Sequence, residues 1–340
     1  AHPGHRGRLI VLAVTMGDPA GISGELTLAA WRDRKSEGLP PFLAVDNAER
    51  LASVSRLLGW KIPIKEVGSV QEAKACFRSA LPVLPLPMPV EVILGHANPE
   101  NASAITGSIE QAVKLAQAGE VGGVVTQPVH KATLYGSGFA FPGHTEFLAH
   151  LTNAAKPSIM MLAGAGLRVV PLTIHEPLAK AIARLNAELI VETSLRVAEA
   201  LRQDFGIVSP RLALAGLNPH AGEDGAMGDE EIRFVRPAAE ELRAQGVKVQ
   251  GPLAPDSMFH AAARAQYDAA ICLYHDQGLI PLKTLAFDKG VNITLGLSIV
   301  RTSPDHGTAF DIAGTGKASP TSFFAAMRMA DEIARRRNLG

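Results

Sequence analysis

Apolar and polar positions follow one another along this chain in short, regular blocks. LIVLAVTMG (9–17) is a continuous apolar run closed by glycine, the pattern of a strand buried on both faces of a parallel sheet. GISGELTLAAWRDR then carries its apolar residues at helical spacing. PFLAVDNAERLASVSRLLG repeats strand then helix, with Asp46 or Asn47 as the helix cap. ENASAITGSIEQAVKLAQAG predicts a further helix stopped at Gly119, and GGVVTQPVHK the next strand and turn. In the second half, SIMMLAG and LRVVPLTIH predict strands. PLAKAIARLNAELIVETSLRVAEALRQDFG predicts one or two helices. RLALAGLNPH and YDAAICLYHDQG predict strands running into polar loops, and VNITLGL another strand. PTSFFAAMRMADEIARRR predicts a closing helix with basic residues in its last turns. The alternation is that of an α/β protein with a mainly parallel sheet.

Length and composition narrow this further. At about 100–200 residues per domain, the chain predicts two domains. No Ser- or Gly-rich linker, repeat or low-complexity tract marks a boundary, so the chain is expected to cross between the domains more than once. Lys+Arg and Asp+Glu are both 33, and this zero net charge gives no basic surplus for nucleic acid or an anionic membrane. No apolar run reaches the roughly 18 residues of a membrane span. The N-terminal AHPGHRGRL lacks the apolar region and cleavage site of a signal peptide, and His2 and His5 are given no function. Cys76 and Cys272 sit in apolar surroundings (KACF, AICLY), the usage of reduced, packed thiols in a cytoplasmic protein. Two cysteines are too few for a Cys-rich zinc site, so any metal must use His and carboxylate.

In open α/β sheets, ligands sit beyond the C-terminal ends of strands. Three histidines follow three strand-like runs: His175 after LRVVPLTI, His220 after RLALAGLNP, and His275 after DAAICLY. Three neutral imidazoles leave coordination positions open on a divalent ion, as catalytic sites require. Asp256 and Asp276 are carboxylates able to complete or orient such a set. The alternative is that each histidine is a hydrogen-bonded loop residue. With no HxxxH or CxxC motif, spacing leaves both readings open.

FPGHTEF (141–147) puts His144 and Thr145 at a turn opening a helix, where free backbone N–H groups and the dipole favour phosphate. The plainer reading makes Thr145 a helix cap. Lys283, Asn292 and Arg301 recur at nine-residue intervals, and alternating strand geometry is expected to bring them to one cleft as anion ligands. Neither glycine-rich stretch is a standard nucleotide motif. GAGLRV (164–169) runs on as a strand with Val169 in place of the third Gly. AGTGKAS (313–319) has Asp311 where a P-loop needs its first Gly, and Ala318 where it needs Ser or Thr.

These residues fall inside longer blocks: TMGDPAGIS (15–23), TQPVHK (126–131), GHTEF (143–147), GLNPHAGEDGAMGDEE (216–231), GPLAPDSMF (251–259), YHDQGLIPLK (274–283), GVNITLGL (290–297) and RTSPDHGTAFDIAGTGKA (301–318). Together they resemble the 4-hydroxythreonine-4-phosphate dehydrogenase family of vitamin B6 synthesis, over nearly the whole chain. The resemblance implies a two-lobed α/β fold like isocitrate and isopropylmalate dehydrogenases, with a cleft between lobes. Residues 1–135 with 300–340 would form the cofactor lobe, and 136–299 the lobe carrying metal, substrate and dimer contacts. It implies a homodimer with the active site at the subunit interface and a divalent ion (zinc, magnesium or cobalt) on His175, His220 and His275. Substrate contacts would come from His144, Thr145, Lys283, Asn292 and Arg301.

DHGTAFDIAG (305–314) is also similar to the adenosine-binding loop of isopropylmalate dehydrogenases. That makes Gly307, Thr308 and Asp311 cofactor candidates; Asp311 is either an acceptor for ribose hydroxyls, favouring NAD over NADP, or a helix N-cap before AGTGKA. The expected reaction is NAD-dependent oxidation of 4-phosphooxy-L-threonine at C3, followed by loss of CO2, with Asp256, Lys283 or a metal-bound water as general base. Rival expectations are a 4-phospho-D-threonate or 4-phospho-D-erythronate dehydrogenase of the same family, a phosphate acyltransferase of related fold, and a metal-dependent phosphohydrolase.

Overall fold

A computed structural model of the protein describes residues 10–141 and 143–338. Leu9 of the first apolar run, His2, His5 and Pro142 of the FPGHTEF block lie outside them. The chain begins with strand β1 (Leu12–Thr15), buried at all four positions, then helix α1 (Ser23–Asp33). Strand β2 (Phe42–Asp46) and helix α2 (Ala48–Leu57) follow, and Asn47 caps α2 by accepting from Arg50 N at 2.9 Å. Next come β3 (Ile64–Glu66), α3 (Val70–Cys76) and β4 (Leu81–Pro85), then α4 (Ala102–Gln117), β5 (Gly123–Val125), α5 (Lys131–Tyr135) and α6 (His144–Leu151). Gly119 ends α4 with a left-handed φ of 68°, a conformation that costs glycine little.

The second stretch opens with β6 (Ile159–Gly164) and β7 (Leu167–Pro171), a hairpin-like antiparallel pair. PLAK…DFG makes two helices, α7 (Leu178–Arg184) and α8 (Ala187–Gln203). Asn186 starts α8 by accepting from Leu189 N at 2.8 Å. The helix buries Ile190, Val191, Ser194, Val197, Ala198 and Leu201, the stripe its 3.6-residue period dictates. Each buried Ile or Leu there contributes about 1.5–3 kcal/mol before entropy is set against it. Then come β8 (Arg211–Ala215), α9 (Arg236–Ala244), β9 (Lys248–Leu253), α10 (Ala261–Arg264), β10 (Ala269–Cys272), α11 (His275–Ala286) and β11 (Val291–Leu295), and finally β12 (Arg301–Pro304) and α12 (Thr321–Arg337).

These elements form two compact α/β units. One holds the chain through Ala155 together with Leu297–Asn338; the other is Lys156–Gly296. In the first unit the strand order is β3-β4-β2-β1-β5-β12, parallel throughout. Its core includes Leu43, Val45, Ile105, Ile109, Val124, Phe147 and Leu148. In the second unit the order is β11-β6-β7-β10-β8-β9, with β6 antiparallel to both neighbours and the rest parallel. Leu162, Val169, Ala213, Ala270, Cys272 and Leu282 pack its core.

One expectation fails. HDQGLIPLKTLA is a helix, not a polar loop, and it carries Pro281 inside. The strand-like alternation proposed for Lys283, Asn292 and Arg301 therefore does not hold. Lys283 lies on α11, Asn292 on β11 and Arg301 on β12. Cys76 and Cys272 are buried free thiols, as their surroundings predicted. No helix among the described residues is long and apolar enough to cross a membrane.

Candidate active site

In the first unit the chain leaves β1 toward β2 on one side and later returns to β5 on the other. That reversal makes the C-terminal ends of β1 and β5 the topological switch point, where such sheets bind ligands. Three loops meet there. Asp18 N donates to Pro128 O at 2.8 Å, and Ile22 N donates to Thr308 O at 3.0 Å. The loop after β1 is held from behind by Arg50, buried in an ion pair with Asp46 at 2.7 Å and donating to Pro19 O at 3.2 Å. The approach to Thr308 is so close that a Cβ on Gly21 would stand 2.6 Å from its carbonyl oxygen. Gly307 and Asp311 are exposed, and a Cβ on Gly307 would meet nothing within 4 Å. Backbone and carboxylate in this loop are thus open to a ligand, which suits a dinucleotide.

The same unit holds the anion candidates His144, Thr145 and Arg301. Gly143, not Thr145, is the cap position of α6, and no side chain caps it, so the first-turn N–H groups stay open to an anion. Part of His144 is accessible, but its Nε2 is buried with no hydrogen-bond partner among the described residues. Burial, then the charge of Arg301, pushes the His144 imidazole down to about 3. Arg301 is buried, donates from Nε and Nη2 to Thr126 Oγ1 at 3.1 and 2.8 Å, and is lowered by that burial to about 10. An anion here would meet a cation, an orphaned imidazole nitrogen and a helix end.

In the second unit, β7 and β10 are parallel neighbours with Pro171 opposite Cys272. His175 and His275, a few residues beyond these ends, have ring centroids 5.9 Å apart. They line a pocket of about 340 Å³ with Thr173, Glu176, Tyr274 and Asp276. Asp276 Oδ1 lies 2.7 Å from His275 Nδ1, which leaves Nε2 free to bind an ion, the carboxylate–histidine arrangement common at metal sites. This pair fits a divalent metal. Asn292 adds a buried Oδ1 with no hydrogen-bond partner among the described residues.

His220 is not brought to this pair. Among the described residues no three His, Cys, Asp or Glu side chains are placed to hold a metal ion. His220 rides on a turn, Pro219–Gly225, in which His220, Ala221, Glu223 and Asp224 all have left-handed φ between 42° and 53°. Such residues cost about 1–2 kcal/mol each and persist only where surrounding structure imposes them. Glu231 anchors the residues that lead into this turn. Its Oε1 accepts from Leu217 N and Asn218 N, both at 2.7 Å, and its Oε2 from Asn218 Nδ2 at 3.0 Å. Burial raises this carboxyl, but the bonds from Asn218 and Leu217 outweigh it and hold it below the usual carboxylate range.

The profile of the family described as "Pyridoxal phosphate biosynthetic protein PdxA" matches residues 39–330. The chain belongs to the PdxA family. It is 51% identical to the 4-hydroxythreonine-4-phosphate dehydrogenase of Caulobacter vibrioides, over 96% of this chain and 98% of that one. It is 50% identical to the enzyme of that name from Maricaulis maris, over 96% and 98%. The crystal structure of 4-hydroxythreonine-4-phosphate dehydrogenase from Klebsiella pneumoniae matches it with a TM-score of 0.85 at 38% identity, covering 96% of this chain and 99% of that one. A branched-chain phosphotransacylase from Enterococcus faecalis shares the fold alone, at 14% identity and a TM-score of 0.54.

Several residues of this PdxA family chain escaped sequence reasoning. Asp18, Gln127 and His130 lie within the TMGDPAGIS and TQPVHK blocks, where only the strand ends were legible. Lys131 brings its Nζ within 3.9 Å of where a Cβ on Gly143 would sit, beside the open end of α6. Glu231 reads in the sequence as one acid of an acidic run, and only its burial separates it from Glu230 and Asp229. Of the two base candidates, Asp256 is exposed in the turn Pro255–Ser257, and Lys283 is half-buried with its Nζ 5.7 Å from the Phe287 ring.

Proposed function

We propose that this protein oxidises 4-phosphooxy-L-threonine at C3 with NAD. The product, 2-amino-3-oxo-4-phosphooxybutanoate, is a β-keto acid that loses CO2 to give 3-amino-2-oxopropyl phosphate for pyridoxal phosphate synthesis. The observation carrying this reading is the His175–His275 pair at the ends of adjacent parallel strands, with Asp276 fixing the ring of His275. Membership of the PdxA family and the dehydrogenases named above support it.

The ion would sit on His175, His275 and His220. When bound, nicotinamide supplies the hydride acceptor, and the ion lowers the pKa of the substrate hydroxyl. Arg301, His144 and the N-terminal turn of α6 hold the phosphate: Arg301 supplies positive charge, and His144 Nε2, without a hydrogen-bond partner among the described residues, gains one. Thr145, Lys283 and Asn292 complete the substrate contacts, with Asn292 Oδ1 accepting from a substrate donor. Asp256 or Lys283 takes the hydroxyl proton. Gly307, Thr308 and Asp311 bind the adenosine end, and the Asp311 carboxylate, able to accept from ribose hydroxyls, favours NAD over NADP.

The active form is a cytoplasmic homodimer in which His220 reaches the site from the second copy. Exposed Leu178, Ile280 and Phe287, the first lining the histidine pocket, give that copy an apolar surface to cover. The test is NADH absorbance. 4-Phosphooxy-L-threonine should drive NADH formation that a chelator abolishes and added divalent metal restores. Turnover only with 4-phospho-D-threonate or 4-phospho-D-erythronate would move the protein to that substrate, and chelator-resistant turnover would remove the ion.

A further inference from the structure

His130 follows β5 at the switch point of the first unit and plays no part in the functions assigned above. A chain of hydrogen bonds sets its ring. The Asp18 carboxylate, buried, accepts from Ala20 N at 3.1 Å through Oδ1 and from Thr133 Oγ1 at 3.1 Å through Oδ2. The single hydroxyl proton of Thr133 is committed to Asp18. Thr133 Oγ1 can therefore only accept from His130 Nδ1, which lies 3.1 Å away. This places a proton on Nδ1, so that in the neutral form of the ring the lone pair is on Nε2. The geometry is that of a carboxylate–hydroxyl–imidazole relay that fixes a tautomer and presents an acceptor.

The ring is half-buried, so Nε2 is reachable, and it stands edge-on to Phe310 with centroids 5.2 Å apart and planes at 84°. Phe310 belongs to the loop that carries Gly307, Thr308 and Asp311. That loop is tied to the loop after β1 by the bond from Ile22 N to Thr308 O at 3.0 Å. Relay and cofactor loop therefore share the C-terminal edge of β1, β5 and β12.

We propose that His130 is a cofactor-binding residue: its Nε2 accepts a hydrogen bond from a donor of the nicotinamide dinucleotide, a ribose hydroxyl or the carboxamide N–H. Asp18 and Thr133 are positioning residues that act through it. The proposal rests on the cofactor reading of the 305–311 loop. It differs from that reading in assigning a specific acceptor atom on a different loop.

The test is NADH fluorescence titration of the metal-loaded protein, alongside the KM for the phosphorylated alcohol. His130→Ala should raise the Kd for NADH about tenfold, the loss of one well-made hydrogen bond, and leave the KM for the alcohol within about twofold. His130→Gln places an acceptor near the position of Nε2 and should recover most of the affinity. His130→Asn reaches only the position of Nδ1 and should not. Thr133→Val keeps the side-chain shape, frees the tautomer, and should weaken NADH binding by a smaller factor. Unchanged NADH affinity in a folded His130→Ala variant would overturn the proposal, as would equal loss in the Gln and Asn variants. A raised KM for the alcohol at unchanged NADH affinity would also overturn it and place His130 on the substrate. Failure of the unaltered protein to bind NADH would instead remove the cofactor reading itself, and this proposal with it.

Discussion

His144 shows how one residue can be legible as a name and illegible as a chemical state. Its place at a turn opening a helix makes it a candidate anion ligand; its depressed pKa depends on burial beside Arg301, which is 157 positions away in the chain. The depression has a sign. Well above pH 6.5, the ordinary imidazole value, the ring is neutral in both the folded and the unfolded chain. As pH falls below that, the unfolded chain takes up a proton that the folded chain refuses until about pH 3. Stability should therefore fall on acidification, by up to about 1.4 kcal/mol per pH unit from this group alone. Thermal unfolding between pH 7.5 and 5, above most carboxylate titration, should show a steeper loss for the native protein than for His144→Gln. Parallel slopes would mean the imidazole is not held neutral.

At the scale of elements, the turn carrying His220 has left-handed, strained backbone, and Glu231 anchors the residues that lead into it. Glu231 accepts two backbone N–H groups and one amide, and glutamine can satisfy fewer of them because its Nε2 is a donor. Glu231→Gln should cost about 1–3 kcal/mol of stability. If His220 is a ligand, it should also weaken divalent metal binding about ten- to hundredfold, the usual penalty for losing a group that orients a ligand. Calorimetric unfolding and metal titration read the two effects separately. Lost stability with unchanged metal affinity would make the turn purely structural. A spacing argument could not reach this. The bond from Glu231 to Leu217 spans fourteen positions, and its neighbours Glu230 and Asp229 have the same chemistry in a less buried place.

For the whole molecule, the question is where His220 meets the His175–His275 pair. If it arrives from the second copy, each site needs two chains. Mixing His175→Ala with His220→Ala subunits should then restore activity. A hybrid dimer has one intact site of two, and hybrids form half of a random mixture, so about a quarter of native activity should return. Mixtures no more active than the separate variants would mean that His220 closes on the pair within its own chain.

Much of this protein follows from local pattern. The continuous apolar runs of β1, β8 and β10, the caps Asn47 and Asn186, and the stripe of α8 are short-range properties. They determine that the chain is α/β, and the family blocks determine its chemistry. What local pattern misjudged was α11, because HDQG reads as a polar loop. Packing against the neighbouring strands β6, β7 and β10 keeps the helix regardless. Three-dimensional structure alone decided which polar residues are buried. It put His130 on a relay to Asp18, 112 positions earlier, turned Glu231 from surface acid into anchor, and left His144 Nε2 and Asn292 Oδ1 without partners among the described residues. The reason is physical: a polar side chain's hydrogen-bonding state depends on the groups that tertiary folding places around it, and those come from anywhere in the chain.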